Sequence, residues 1–79
     1  MENYANLSGT SNVEYYSCFP HSIFVRFKDT WLYAYTAIML GQQAIDEMHA
    51  LAQAGRGLNS FISRTKPAYA NKWFNSRIG

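Results

Sequence analysis

The chain has 79 residues, 48% of them hydrophobic and 16% aromatic, which suits one small domain and leaves no room for a second core. Its net charge is only +2, yet Arg56, Arg64, Lys66, Lys72 and Arg77 stand after Met48 without a single acid, so the C-terminal part favours an anionic partner such as phosphate. One cysteine, Cys18, excludes an internal disulfide framework; a polar N-terminus without an apolar run argues against a signal peptide, and no stretch approaches the roughly 20 apolar residues of a membrane span. A cytoplasmic protein with no membrane partner is expected.

Residues 1–11 mix Asn, Ser, Gly and Thr without periodicity and read as a flexible arm, leaving residues 12–79 as the domain. From Asn12 to Cys18 the run Val13, Glu14, Tyr15, Tyr16 has the composition of a strand, and Pro20, which lacks an amide donor, ends it before a turn at His21 and Ser22. Ser22 to Lys28 is a clearer strand. Ile23, Val25 and Phe27 alternate with Phe24, Arg26 and Lys28, which places the first set on a covered face and the second on a mixed one. Lys28-Asp29-Thr30 then makes a tight connection into an antiparallel partner.

That partner, Thr30 to Thr36, alternates large aromatics with smaller residues, so Trp31, Tyr33 and Tyr35 form one row while Leu32, Ala34 and Thr36 line the opposite face. Ala37-Ile38-Met39-Leu40 leads to Gly41, and from about Gln42 to Ala54 the period becomes helical. Ala44, Ile45, Met48, Leu51 and Ala52 make its apolar stripe. Gly55 is placed as a helix C-cap. A shorter helix follows, with Leu58, Phe61 and Ile62 on one side and Asn59, Ser63, Arg64 and Lys66 towards solvent or ligand. Pro67 can open a last helix with Tyr69 and Trp73 at i, i+4.

Strands followed by helices give an α+β fold: a small antiparallel three-stranded meander with two to three helices packed on one face. The other sheet face, with aromatics and Arg26, is left for a second subunit or a ligand to cover.

These residues also carry a resemblance. A central Tyr-x-Tyr, here Tyr33-Ala34-Tyr35, followed by a helix and a segment Gly-x-x-x-Asn-x-x-Ile, resembles the KTSC domain, named for the C-terminal extension of some lysyl-tRNA synthetases. In this chain that segment runs from Gly55 through Asn59 to Ile62, and the likeness spans roughly residues 11–69. The resemblance implies a small non-catalytic domain for which RNA binding has been suggested. Two departures stand out: the tail from Lys72, and apolar Ala37-Ile38-Met39-Leu40 where the family tends to have a proline-containing turn.

The candidate nucleotide-binding residues are Arg26, Trp31, Tyr33, Tyr35, Arg56, Asn59, Arg64 and Lys66. The ring row suits stacking on bases, worth roughly 1–3 kcal/mol per base, and equally suits sheet core or a dimer contact. Arg26, Arg64 and Lys66 can hold phosphate, by a bidentate fork or as a point charge, or stand as solvated surface groups. Asn59 can meet a base edge or ribose, or cap the second helix. Arg56, between two glycines, lies where helix-start amides can face an anion.

Catalytic chemistry is not indicated. Cys18 and His21 have a Cys-x-x-His spacing, but a zinc site needs three or four ligands, and a nucleophile pair needs an orienting group and an oxyanion hole. Asp46 and Glu47 are helix neighbours that point in different directions.

The expectation is therefore a non-enzymatic homo-oligomer, without cofactor, metal or DNA, that binds and sequesters a small phosphate-bearing nucleotide, linear or cyclic, by analogy with phage-encoded anti-defence sponges. A single-stranded RNA or tRNA binder is the second reading, though a net +2 is low for a surface that tracks a nucleic-acid backbone. A protein-interaction module with no small ligand is the third.

Overall fold

The computed structural model describes residues 1–74 apart from Ser8, Thr10, Asp29 and Thr30. The turn expected at Lys28-Asp29-Thr30, the Thr30 start of the aromatic strand and the basic Arg77 thus fall wholly or partly outside the described residues.

Five strands and three helices follow one another as β1 (Glu2–Asn3), β2 (Val13–Phe19), β3 (Ser22–Phe27), β4 (Trp31–Thr36), α1 (Ala37–Leu40), α2 (Gln42–Ala54), α3 (Leu58–Thr65) and β5 (Asn71–Phe74). The strands form one antiparallel sheet in the order β1-β2-β3-β4-β5. The α+β class and the three central strands agree with the sequence reading; the sheet is wider by one strand at each edge.

At the first edge, Glu2–Asn3 pairs with Tyr16 and Tyr15, so this part of the supposed arm belongs to the sheet. Tyr4 is the reason: its ring is 6% exposed, meets Tyr16 edge to face, and its hydroxyl accepts the Leu58 N–H at 3.2 Å. At the other edge the expected last helix is a strand. Lys66 closes α3 in the left-handed region at φ 46° and gives its N–H to Ile62 O, Pro67 cannot continue the helix, and Ala70 N–H reaches Ala34 O to start β5 along β4.

The register decides which side chains share a face. Cys18, Ile23 and Tyr35 lie across from one another, as do Tyr16, Val25 and Tyr33, and both rows face the helices. Val13, three residues before Tyr16, can share that face because the strand bulges between Val13 and Tyr15. Helix α2 answers with Ile45, Met48 and Ala52 and α3 with Leu58 and Phe61, all buried. This is the stripe that the helical period defines. Gly55 ends α2 at φ 77°, its N–H shared between Leu51 O and Ala52 O.

Candidate functional site

Where α3 ends and the chain turns towards β5, a groove of about 360 Å³ opens between the sheet and the segment carrying Pro67 and Tyr69. Phe27, Tyr33 and Tyr35 of the sheet, Ile62 of α3, and Lys66, Pro67 and Tyr69 line it. The rings are ordered by mutual contact: Tyr33 and Tyr35 lie parallel at 6.1 Å, Phe27 meets Tyr33 edge to face at 5.3 Å, and Tyr69 does so at 4.9 Å. Tyr35 forms the buried end, 2% exposed, and burial followed by the neighbouring Tyr33 and Tyr69 raises its hydroxyl pKa well above the ordinary tyrosine range.

A second lobe of about 530 Å³ lies on the other side of Phe27 and Ile62, which line both. Its remaining walls are polar: Asn12, Lys28, Asn59 and Ser63. Among the described residues, one lobe is thus ring-walled with a single ammonium group, the other is rich in amide, hydroxyl and amine, and neither is lined by an acid.

Beside the ring-walled lobe, Lys72 of β5 places its ammonium 4.3 Å from the Trp31 ring centroid, 5.1 Å from Tyr33 and 5.6 Å from Tyr69. Each ring presents its electron-rich face to the charge, an arrangement that fastens β5 to β4 from the side-chain layer as well as through the backbone.

Of the residues singled out from sequence, Tyr33, Tyr35 and Lys66 come together in the groove and Asn59 in its polar lobe. Asn59 does not cap α3, since Gly57 holds that position. Trp31 lines neither lobe and instead completes the ring set around Lys72. The row of Trp31, Tyr33 and Tyr35 is therefore no open stacking platform: Tyr35 is core, and Tyr33 is partly covered by Tyr69. Arg26 is across the sheet, its guanidinium 5.7 Å from the Tyr15 ring. Arg64 lies over Phe61 at 5.9 Å and Arg56 stands exposed between its glycines, neither lining a lobe.

No protein-family model, curated protein or solved structure matches this chain.

Phe27, Tyr69, Lys28 and Asn12 were not among the sequence candidates. Alternation gives Phe27 only a covered face, and the i, i+4 spacing to Trp73 suits Tyr69 to a helix rather than to the contact it makes with Tyr33. Burial, and after it the Glu2 carboxylate, pushes the Cys18 thiol up, and His21 Nδ1 donates to Gln42 Oε1 at 2.8 Å. His49 Nε2 donates to Ser22 O at 2.9 Å. Among the described residues no three His, Cys, Asp or Glu side chains gather where a metal ion could sit, and no helix is long and apolar enough to cross a membrane.

Proposed function

We propose that this protein binds a small phosphate-bearing nucleotide without chemical turnover, holding it in the two-lobed groove and so withdrawing it from solution, and that it does so as a homo-oligomer. The observation that carries this reading is the junction at Phe27 and Ile62 of a ring-walled lobe with a polar one that no carboxylate lines among the described residues. A nucleotide has the same division, a flat apolar-faced base joined to a hydroxylated, anionic remainder. The base lies against Phe27, Tyr33 and Tyr69, whose π-faces accept any base ring. Lys66 and Lys28 neutralise phosphate as point charges, and Asn59 and Ser63 offer donors and acceptors to the sugar or phosphate oxygens. Each lobe is within the size range of small-molecule sites.

The test is native mass spectrometry of the purified protein, with release and identification of any bound small molecule, followed by calorimetry with a panel of linear and cyclic nucleotides. A nucleotide at fixed ratio per chain, with affinity that changes little with salt, is the expected result. Release of long RNA with steeply salt-dependent affinity would move the reading to a single-stranded RNA binder, and an empty protein that ignores the panel would leave an interaction module.

A further inference from the structure

Helices α2 and α3 cover the sheet face that carries Ile23, Val25 and Tyr35. The reverse face carries Ser17 and Phe19 of β2, Phe24 and Arg26 of β3, Leu32 and Ala34 of β4, and Trp73 of β5, as the pairing register requires. Its rings are joined across the strands. Phe24 meets Phe19 edge to face at 5.7 Å and stacks on Trp73 at 6.0 Å with planes 8° apart. They close over β4 because Ala34, paired with Phe24, is small enough to lie beneath them at 4% exposure. Yet Phe19 remains 50% and Trp73 42% exposed. Among the described residues the pairing register places one charged side chain here, Arg26, whose Nε is buried with no hydrogen-bond acceptor among them.

We infer that this face is where a second copy of the chain docks, sheet against sheet about a two-fold axis, with Phe19, Phe24 and Trp73 interdigitating at the centre. This deepens the oligomer in the reading above and is independent of which ligand the groove takes. Three observations choose a second copy. The face is nearly free of charge, so it does not repel itself, and an isologous contact needs one patch complementary to its own copy. Strands about 4.8 Å apart with a rise of about 3.3 Å per residue give a face roughly 20 Å on a side, so two copies bury on the order of 1,000 Å², at the lower edge of specific interfaces. A nucleic-acid strand would need several cations to meet its phosphates, and among the described residues the register places one here, Arg26. Sheets packed about 10 Å apart leave room for one interleaved layer of rings.

The test is sedimentation velocity on the full chain across a hundredfold concentration range, repeated with Phe19→Asp and Trp73→Asp. The expected result is a reversible dimer, weakened at least tenfold by each substitution, with circular dichroism unchanged. Should Trp73→Asp disturb β5, Phe19→Asp, at the exposed end of β2, carries the test alone. A wild-type monomer over the whole range, or a dimer indifferent to Phe19→Asp, overturns the inference. So does a monomer that binds a ten-residue oligouridylate through Phe19, since that assigns the face to nucleic acid. Nucleotide calorimetry on the wild type keeps the two proposals apart: a dimer that binds no nucleotide counts against the groove and leaves the dimer standing, and a monomer that binds one overturns the dimer and leaves the groove standing.

Discussion

The Tyr4 hydroxyl accepts a hydrogen bond from the Leu58 amide at 3.2 Å, joining residues 54 positions apart at the start of α3. Leu58 is fully buried, so its amide has no water to turn to. Tyr4→Phe keeps the ring and removes the acceptor, which strands a buried donor. The expected loss is about 1–3 kcal/mol in urea denaturation with an unchanged m-value. Tyr4→Ala also empties the ring's site and is expected to cost about 3–5 kcal/mol.

Gly55 is constrained twice. Its φ of +77° is unfavourable for an L side chain, and an added Cβ would meet Ala5 Cβ at 2.6 Å. Gly55→Ala should destabilise by more than about 1 kcal/mol, read as a lowered midpoint in thermal unfolding. Gly41, also at positive φ but with nothing near its added Cβ, should tolerate Ala better, with only the backbone strain to bear.

Alkaline pH should unfold the protein through its buried tyrosines. Tyr35 is raised by burial and by Tyr33 and Tyr69, and Tyr16 by burial and by Glu2 and Cys18. An unfolded tyrosine releases its proton near pH 10 while the folded one holds it, so above that pH the unfolded chain binds fewer protons and stability falls. Below pH 10 the contribution is fully present. Denaturation midpoints measured from pH 8 upward should decline past pH 10, and Tyr35→Phe should make the decline shallower; an identical slope in that variant would remove Tyr35 as a cause.

For the ligand, the groove shifts weight from Tyr35 to the accessible rings. Tyr69→Ala, at a position 43% exposed, should weaken nucleotide binding by about 1–3 kcal/mol while leaving the fold intact. Lys66→Gln should weaken phosphate-bearing ligands and leave the matching nucleosides unchanged. Calorimetry with each nucleoside and its phosphate checks both.

Lys72 should report on its ring set directly. Protons on its terminal methylene lie near three ring faces and are expected upfield of an ordinary lysine in the NMR spectrum, and Trp31→Leu should move them back. Lys72→Gln should cost about 0.5–2 kcal/mol of stability.

The middle of the fold could be read from the chain because each signal there is long and of one period: alternation in Ile23, Val25 and Phe27, and the stripe of Ile45, Met48 and Ala52 ending at Gly55. The edges could not. Glu2–Asn3 is too short to show any period, and it is held by a contact from Tyr4 to Leu58 that no local pattern announces. The i, i+4 spacing of Tyr69 and Trp73 suits a helix; the left-handed turn at Lys66 and the pairing of Asn71–Phe74 with β4 make a strand of Trp73 instead and leave Tyr69 ahead of it. Alternation in Trp31, Tyr33 and Tyr35 fixed that the rings share a face without fixing which one. The partner register, Val25 opposite Tyr33 and Ile23 opposite Tyr35, turns them to the helices. The groove was legible only in Tyr33, Tyr35, Lys66 and Asn59, because Phe27 and Tyr69 join them solely through that arrangement.

Lys72 and Trp73 are consecutive residues on β5, and alternation sends them to opposite sides of the sheet, one among Trp31, Tyr33 and Tyr69 beside the groove, the other onto Phe24. A strand of four residues therefore belongs to both surfaces at once. Whatever favours its docked position on one side favours it on the other. By thermodynamic reciprocity, were a nucleotide in the groove to tighten the proposed dimer tenfold, the dimer would hold that nucleotide tenfold more tightly, and this short strand is the element the two events would share.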